Sequence, residues 1–181
     1  GVDDYINDGN IAYTITGQVV TTDLTYNRVV IPAINLLNND DGQDNDRIIY
    51  GTDETDYLQG ANGNDRLYGQ NFTDELHGNS GDDYLDAGLD ADFVYGGTGQ
   101  DIVVGGEGLD TTYGEWGDDR MFGDNGRDRI SGGAGQDSMD GGNDDDTLLG
   151  GDGHDSIGGE TGNDLISGGS GDDKLFGDAG N

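Results

Sequence analysis

From Gly51 to Phe176 an apolar residue returns at every ninth position: Leu58, Leu67, Leu76, Leu85, Val94, Val103, Met121, Ile130, Met139, Leu148, Ile157, Ile166 and Leu175, with Thr112 the single polar substitute. Each stands between two outward-facing neighbours, and about six residues rich in Gly, Asn, Asp and Ser lead to the next triplet. The pattern predicts a tight turn followed by a three-residue strand, repeated fourteen times. So short a strand cannot persist alone and must pair with copies of itself. Two nonapeptides make one coil, so residues 18 apart stack at the inter-strand spacing of about 4.8 Å. Fourteen repeats then give seven coils, a roll roughly 30 Å long.

The other positions are as regular. The sixth is Asp in all fourteen repeats: Asp56, Asp65, Asp74, Asp83, Asp92, Asp101, Asp110, Asp119, Asp128, Asp137, Asp146, Asp155, Asp164 and Asp173. The first is Gly in all but one, where Ala87 stands, and the fourth is Gly in ten. A turn repeated without drift needs positive φ, which glycine adopts without steric cost. Alternate repeats fall on opposite edges. On the even edge position four reads Gly63, Gly81, Gly99, Gly117, Gly135, Gly153 and Gly171; on the odd edge Glu54, Phe72, Asp90 and Asp144 interrupt Gly108, Gly126 and Gly162. The expectation is an intact even edge and a defective odd edge towards the N-terminus.

Charge decides what holds such an object together. The chain of 181 residues is 30% hydrophobic, has 37 glycines and carries a formal net charge of −32. Seven Lys plus Arg exclude a nucleic-acid partner and an acidic membrane surface, which need a basic footprint. There is no cysteine for a disulfide or thiolate site. The longest apolar run, Val29 to Ile34, is far below the roughly 18 residues of a membrane-spanning helix. Few aliphatic side chains stand against many glycine-rich residues to be ordered, and each edge would stack a carboxylate about every 5 Å. A cation must sit between the turns. Carboxylates and turn carbonyls, with no Cys or His column, are hard oxygen ligands that select against zinc, copper and iron. Calcium, which accepts six to eight oxygens in flexible geometry, fits better than magnesium.

The blocks GGTGQD, GGAGQD, GGDGHD and GGSGDD, each followed two places on by an apolar residue, resemble the GGxGxDxUx nonapeptides of RTX, or haemolysin-type, calcium-binding repeats. The resemblance implies an all-β chain: a right-handed parallel β-roll, two repeats per coil, with calcium between successive turns of one edge. It implies that the ligands are the fourteen aspartates together with backbone carbonyls, among them those of Gly97, Gly99, Gly133, Gly135, Gly151, Gly153, Gly169 and Gly171. Six gaps on each edge set a ceiling of about twelve ions, enough to bring −32 to −8, and losses on the odd edge leave about nine. The resemblance further implies a secreted or cell-surface bacterial module, not an enzyme, that folds on extracellular calcium and passes a type I secretion machinery. The alternatives are a spacer of a giant adhesin and the non-catalytic C-terminal module of a secreted enzyme.

Residues 1–41 lack the period and are expected to form a short β cap, or the tail of a preceding sandwich, ahead of a roll over 42–181. Ile11, Tyr13 and Ile15 alternate as a strand, and Pro32 within Val29–Leu37 marks an edge strand. DDYINDGNIAYTI and INLLNNDDG are weakly similar to Calx-β-like adhesin modules. Asn45-Asp46-Arg47-Ile48 echoes Asn64-Asp65-Arg66-Leu67 with one residue more before the next Gly, so Asp46 is expected to start the roll out of phase. A first residue other than Met and a last repeat left incomplete suggest a piece of something longer.

His77 and His154 read as solvent-facing, Ser156 beside His154 and Asp155 as a triad only by letter, and Asn71-Phe72-Thr73 as a glycosylation sequon by pattern only. Phe93, Tyr95 and Tyr113 on one face, and Ile102, Val104 and Phe122 on the other, are apolar clusters that read either as plain cross-strand packing or, for the first, as a contact surface for a protein or carbohydrate.

Overall fold

In a computed structural model the described residues are 46–180, with the backbone of three short strands before them. The chain divides into two compact units, Gly1–Pro32 and Ala33–Asn181. Within the first, β1 (Thr22–Asp23) pairs antiparallel with β2 (Arg28–Val29). The strand expected around Ile11, Tyr13 and Ile15 lies outside the described residues. Within the second, β3 (Ile34–Leu37) runs antiparallel to β4 (Arg47–Tyr50).

Fourteen strands follow: β5 (Tyr57–Asn62), β6 (Arg66–Gln70), β7 (Glu75–Ser80), β8 (Tyr84–Leu89), β9 (Phe93–Thr98), β10 (Ile102–Gly108), β11 (Thr111–Trp116), β12 (Arg120–Gly126), β13 (Arg129–Ala134), β14 (Ser138–Asn143), β15 (Thr147–Asp152), β16 (Ser156–Thr161), β17 (Leu165–Ser170) and β18 (Lys174–Phe176). They sort by parity into two sheets, β5 to β17 in one and β4 to β18 in the other, the second closed at one edge by β3. Pairing within each roll sheet is parallel with an offset of 18 residues, as in Leu58↔Leu76 and Leu67↔Leu85. The parallel β-roll is thus present, but most strands run to six residues, not three. They continue through positions one to three of the next repeat and confine the turn to the remaining residues.

The period-two pleat sends position eight inwards. Leu58, Leu67, Leu76, Leu85, Val94, Val103, Met121, Ile130, Met139, Leu148 and Ile157 form one buried core with Ile49 and Ala87. Thr112 occupies the same column, 1% exposed, and its Oγ1 has no hydrogen-bond partner.

One feature corrects the sequence reading. The roll starts in phase: Ile48, Ile49 and Tyr50 pair with Arg66, Leu67 and Tyr68. By that register Asp46, Arg47 and Ile49 take positions five, six and eight of a further repeat, counted in the sequence over 42–50. His77 stands on the outward face of β7, as expected, but is only partly exposed. Its ring stacks on Tyr95 at 4.6 Å and its Nε2 lies 2.8 Å from Glu75 Oε1. Tyr95 in turn stacks on Tyr113 at 5.1 Å. Phe93 stands in the neighbouring column, in register with Glu75 and Thr111.

Candidate metal centre

The position-six side chains point into the roll, where the turns close its edges. From Asp65 to Asp155 every one is buried. The two oxygens of each carboxylate have different fates. Oδ1 accepts the backbone N–H of the position-six residue one coil earlier: Asp65 N donates to Asp83 Oδ1 at 2.6 Å, Asp83 N to Asp101 at 2.8 Å, and Asp137 N to Asp155 at 2.9 Å. The odd edge repeats the scheme from Asp56–Asp74 to Asp146–Asp164. Oδ2 has no partner in Asp65, Asp74, Asp83, Asp92, Asp101, Asp110, Asp119, Asp128, Asp137, Asp146, Asp155 or Asp164. Unsatisfied buried anionic oxygens are rare in folded proteins and call for a ligand.

Burial without a counter-charge shows in proton affinity. Desolvation lifts Asp83, Asp101 and Asp128 to about 7, and Asp65, Asp119 and Asp137 to about 6, despite the opposing backbone N–H bonds. For Asp65 the Arg47 guanidinium also opposes the rise.

The glycine at position one follows from the same geometry. A methyl on Gly60 would stand 2.5 Å from Asp65 Oδ2 and 2.7 Å from the carbonyl oxygen of Gly78, the equivalent residue of the next turn on that edge. At Gly105 the same two oxygens, Asp110 Oδ2 and Gly123 O, would be 2.8 and 3.0 Å away. From Gly51 to Gly150 each position-one glycine therefore keeps open a small space onto which a carboxylate oxygen and a carbonyl oxygen converge. The reading from sequence missed these position-one carbonyls. Of the carbonyls it named, those of Gly99, Gly133, Gly135, Gly151 and Gly153 face the matching glycine of the next turn, close enough that a Cβ there would collide. Gly97 pairs with Glu115 in the parallel ladder; for Gly169 and Gly171, in the last turn, no such neighbour follows. Among the described residues no three acidic or histidine side chains gather at one point, so any cation would be held by one carboxylate per turn plus main-chain oxygens. That donor set of hard oxygens is the one calcium takes.

The turns differ between edges. Position-four glycines on the even edge take φ from 106° at Gly63 to 155° at Gly153, whereas Phe72, Asp90 and Asp144 on the odd edge hold 72°, 75° and 80°. A Cβ bars the wider angles, so these turns retreat to the left-handed helical region and their peptide planes rotate. Two further departures fall on the odd edge. Asp56 Oδ2 already accepts from Thr52 N–H and Oγ1 at 2.5 and 2.9 Å, and Ala87 places a buried methyl at position one, ahead of Asp92.

The even edge has a second ladder that sequence reasoning did not foresee, at position five. Asn64 Oδ1 accepts from Asp82 N at 2.9 Å, Asp82 Oδ1 from Gln100 N at 2.8 Å, and His154 Nδ1 from Asp172 N at 2.9 Å. His154 is thereby bound into the turn, and Asp155 Oδ1 is held by Asp137, so neither forms a relay with Ser156.

A family model described as RTX calcium-binding nonapeptide repeat (4 copies) matches residues 50–71, 68–103, 77–112, 95–130, 113–148, 122–157 and 149–181. Neither a curated protein nor a solved structure matches the chain.

Proposed function

The chain belongs to the family of RTX calcium-binding nonapeptide repeats, and from that membership we propose that its roll is a calcium-dependent folding module of a secreted protein. The observation that carries the reading is the row of twelve buried Oδ2 atoms without a partner. Each position-six aspartate would give this oxygen to an ion, with the position-one carbonyl of the next turn and the glycine carbonyls at positions two and four as further donors. Calcium bound there would supply the positive charge that cancels the stacked carboxylates. The chain's own part is to hold those carboxylates dry, to fix Oδ1 with a backbone N–H and to keep the position-one space clear.

The even edge offers six such gaps between Asp65 and Asp173. On the odd edge the engaged Asp56, the shifted turns at Phe72 and Asp90 and the methyl of Ala87 argue against the first three, which leaves about nine sites of the twelve that inter-turn geometry allows. With so little apolar core, ordering of the coils and metal binding are one event. Scarce calcium leaves the segment unfolded and suited to passage through a type I exporter; millimolar calcium outside the cell folds it. β3, antiparallel on the first coil, serves as the cap that a solenoid end requires. No catalytic role is assigned. Among the described residues no helix is long and apolar enough to cross a membrane.

Metal-free chain titrated with calcium, and in parallel with magnesium, is to be followed by circular dichroism and calorimetry. The expected result is a cooperative gain of β structure with calcium alone. A β spectrum that chelation leaves unchanged overturns the reading.

A further inference from the structure

Arg47 occupies position six of the repeat over residues 42–50. Its backbone N–H donates to Asp65 Oδ1 at 2.6 Å, the bond that Asp65 makes to Asp83 one coil further on. Two places later Ile49 enters the core beside Leu67. Where the fourteen following repeats carry a carboxylate, this one carries a guanidinium. No other cationic residue stands at that position: Arg66, Arg120, Arg129 and Lys174 hold position seven, Arg127 position five, and Arg28 lies outside the repeats.

The side chain turns into the edge. Nη1 donates to the carbonyl oxygen of Gly60, and Nε is buried without a partner. Gly60 is the position-one residue of the next turn. One coil further on its counterpart is Gly78, whose carbonyl oxygen shares with Asp65 Oδ2 the space above Gly60. The guanidinium thus bonds at its own level the oxygen that is left without a cation at the next. A fixed charge carried on a planar donor suits a carbonyl-lined site closed to water.

We propose that Arg47 is a permanent counter-ion: it supplies at the Arg47–Asp65 junction the positive charge that calcium supplies between later turns, so that this junction takes no metal. The inference rests on the calcium reading above. Its consequence is directional, because the even edge then begins with one junction closed independently of calcium, against which the first metal-bound turn can order.

The test uses the full chain, Arg47→Asp and Arg47→Gln. Arg47→Asp restores the repeat's own residue and is compatible with the turn. Native mass spectrometry counts calcium, anomalous difference density from crystals grown in calcium locates it, and circular dichroism gives the calcium midpoint of folding. The parent is expected to show calcium between later turns and none at the junction. Arg47→Asp is expected to gain one ion per chain, at the junction; Arg47→Gln is expected to gain none and to fold only at higher calcium. An ion at the junction of the parent, an unchanged count in Arg47→Asp, or a parental midpoint in Arg47→Gln overturns the inference and leaves the calcium reading intact. A parent without calcium anywhere overturns both.

Discussion

Gly96 lies directly beneath the carboxylate of Asp101: a methyl on its Cα would stand 2.6 Å from Oδ2 and 2.9 Å from the carbonyl oxygen of Gly114. Position one and position six are therefore one device, and substituting the glycine disturbs the aspartate. Gly96→Ala should lower the calcium count by one, raise the calcium midpoint and destabilise the calcium-loaded roll by about 1–3 kcal/mol, the usual cost of overpacking. Gly158→Ala is the control, since nothing lies within 3.7 Å of a Cβ there, and it should behave as the parent. Equal effects in calcium titrations of the two variants would show that the glycines serve the backbone and not the ion.

The roll could be read from the sequence because its period is covalent. One apolar residue in nine fixes the inward column, and the aspartate two places earlier has nowhere to go but the turn. What could not be read depended on neighbours 18 residues away. Arg47 hid the first repeat because a cation stands where the pattern demands an anion, and only the pairing of Ile49 with Leu67 reveals the phase. The position-one carbonyls were missed because a main-chain oxygen leaves no letter in the sequence. His77 faces outward as read, but its partners there, Tyr95 and Glu75, could not be foreseen because the coil and the pleat bring them to it. The missing glycines at Phe72 and Asp90 were visible as letters, but the size of their effect is a matter of φ.

Metal-free and calcium-loaded protein should respond to pH with opposite signs. In the metal-free roll burial lifts Asp83 and Asp101 to about 7 and Asp119 to about 6, against about 3.9 in an unfolded chain. The folded form then holds more protons than the unfolded form between about pH 4 and 7, so its stability is greatest below that window and is lost as pH rises through it. Calcium needs the same carboxylates as anions, so its affinity should increase with pH over that range. Circular dichroism of dialysed, metal-free protein should show β structure gained on acidification from pH 7.5 to 4, while the calcium midpoint moves to higher concentration. Metal-free protein that loses β structure on acidification would contradict this account.

The edges should differ in tolerance. Gly117 on the even edge holds φ of 139°, which a residue with a Cβ rarely adopts, and a Cβ there would fall on the carbonyl oxygen of Gly99. Gly117→Ala should cost about 1–3 kcal/mol in calcium and abolish binding in the adjoining gaps. Phe72 already sits at 72° with an exposed ring, so Phe72→Ala should change stability by less than about 0.5 kcal/mol. Chemical denaturation at saturating calcium, with calcium counted by native mass spectrometry, distinguishes the two; similar losses would mean that both edges bind metal alike.

Thr112 carries the one hydroxyl in the position-eight column, between Val94 and Ile130 on the neighbouring strands. It is 1% exposed, and its Oγ1 has no hydrogen-bond partner. Burying a hydroxyl without a partner costs roughly 1–3 kcal/mol, and replacing it by an apolar group of the same shape removes that cost. Valine differs from threonine only by a methyl in place of the hydroxyl, and the strand favours both β-branched residues. Thr112→Val should therefore stabilise the calcium-loaded roll by about 1 kcal/mol and leave the calcium count unchanged, because the column lies away from the turns. Denaturant unfolding at fixed, saturating calcium measures the gain. A loss of stability instead would mean that the hydroxyl is satisfied inside the roll, by an ordered water or by the backbone of a neighbouring coil.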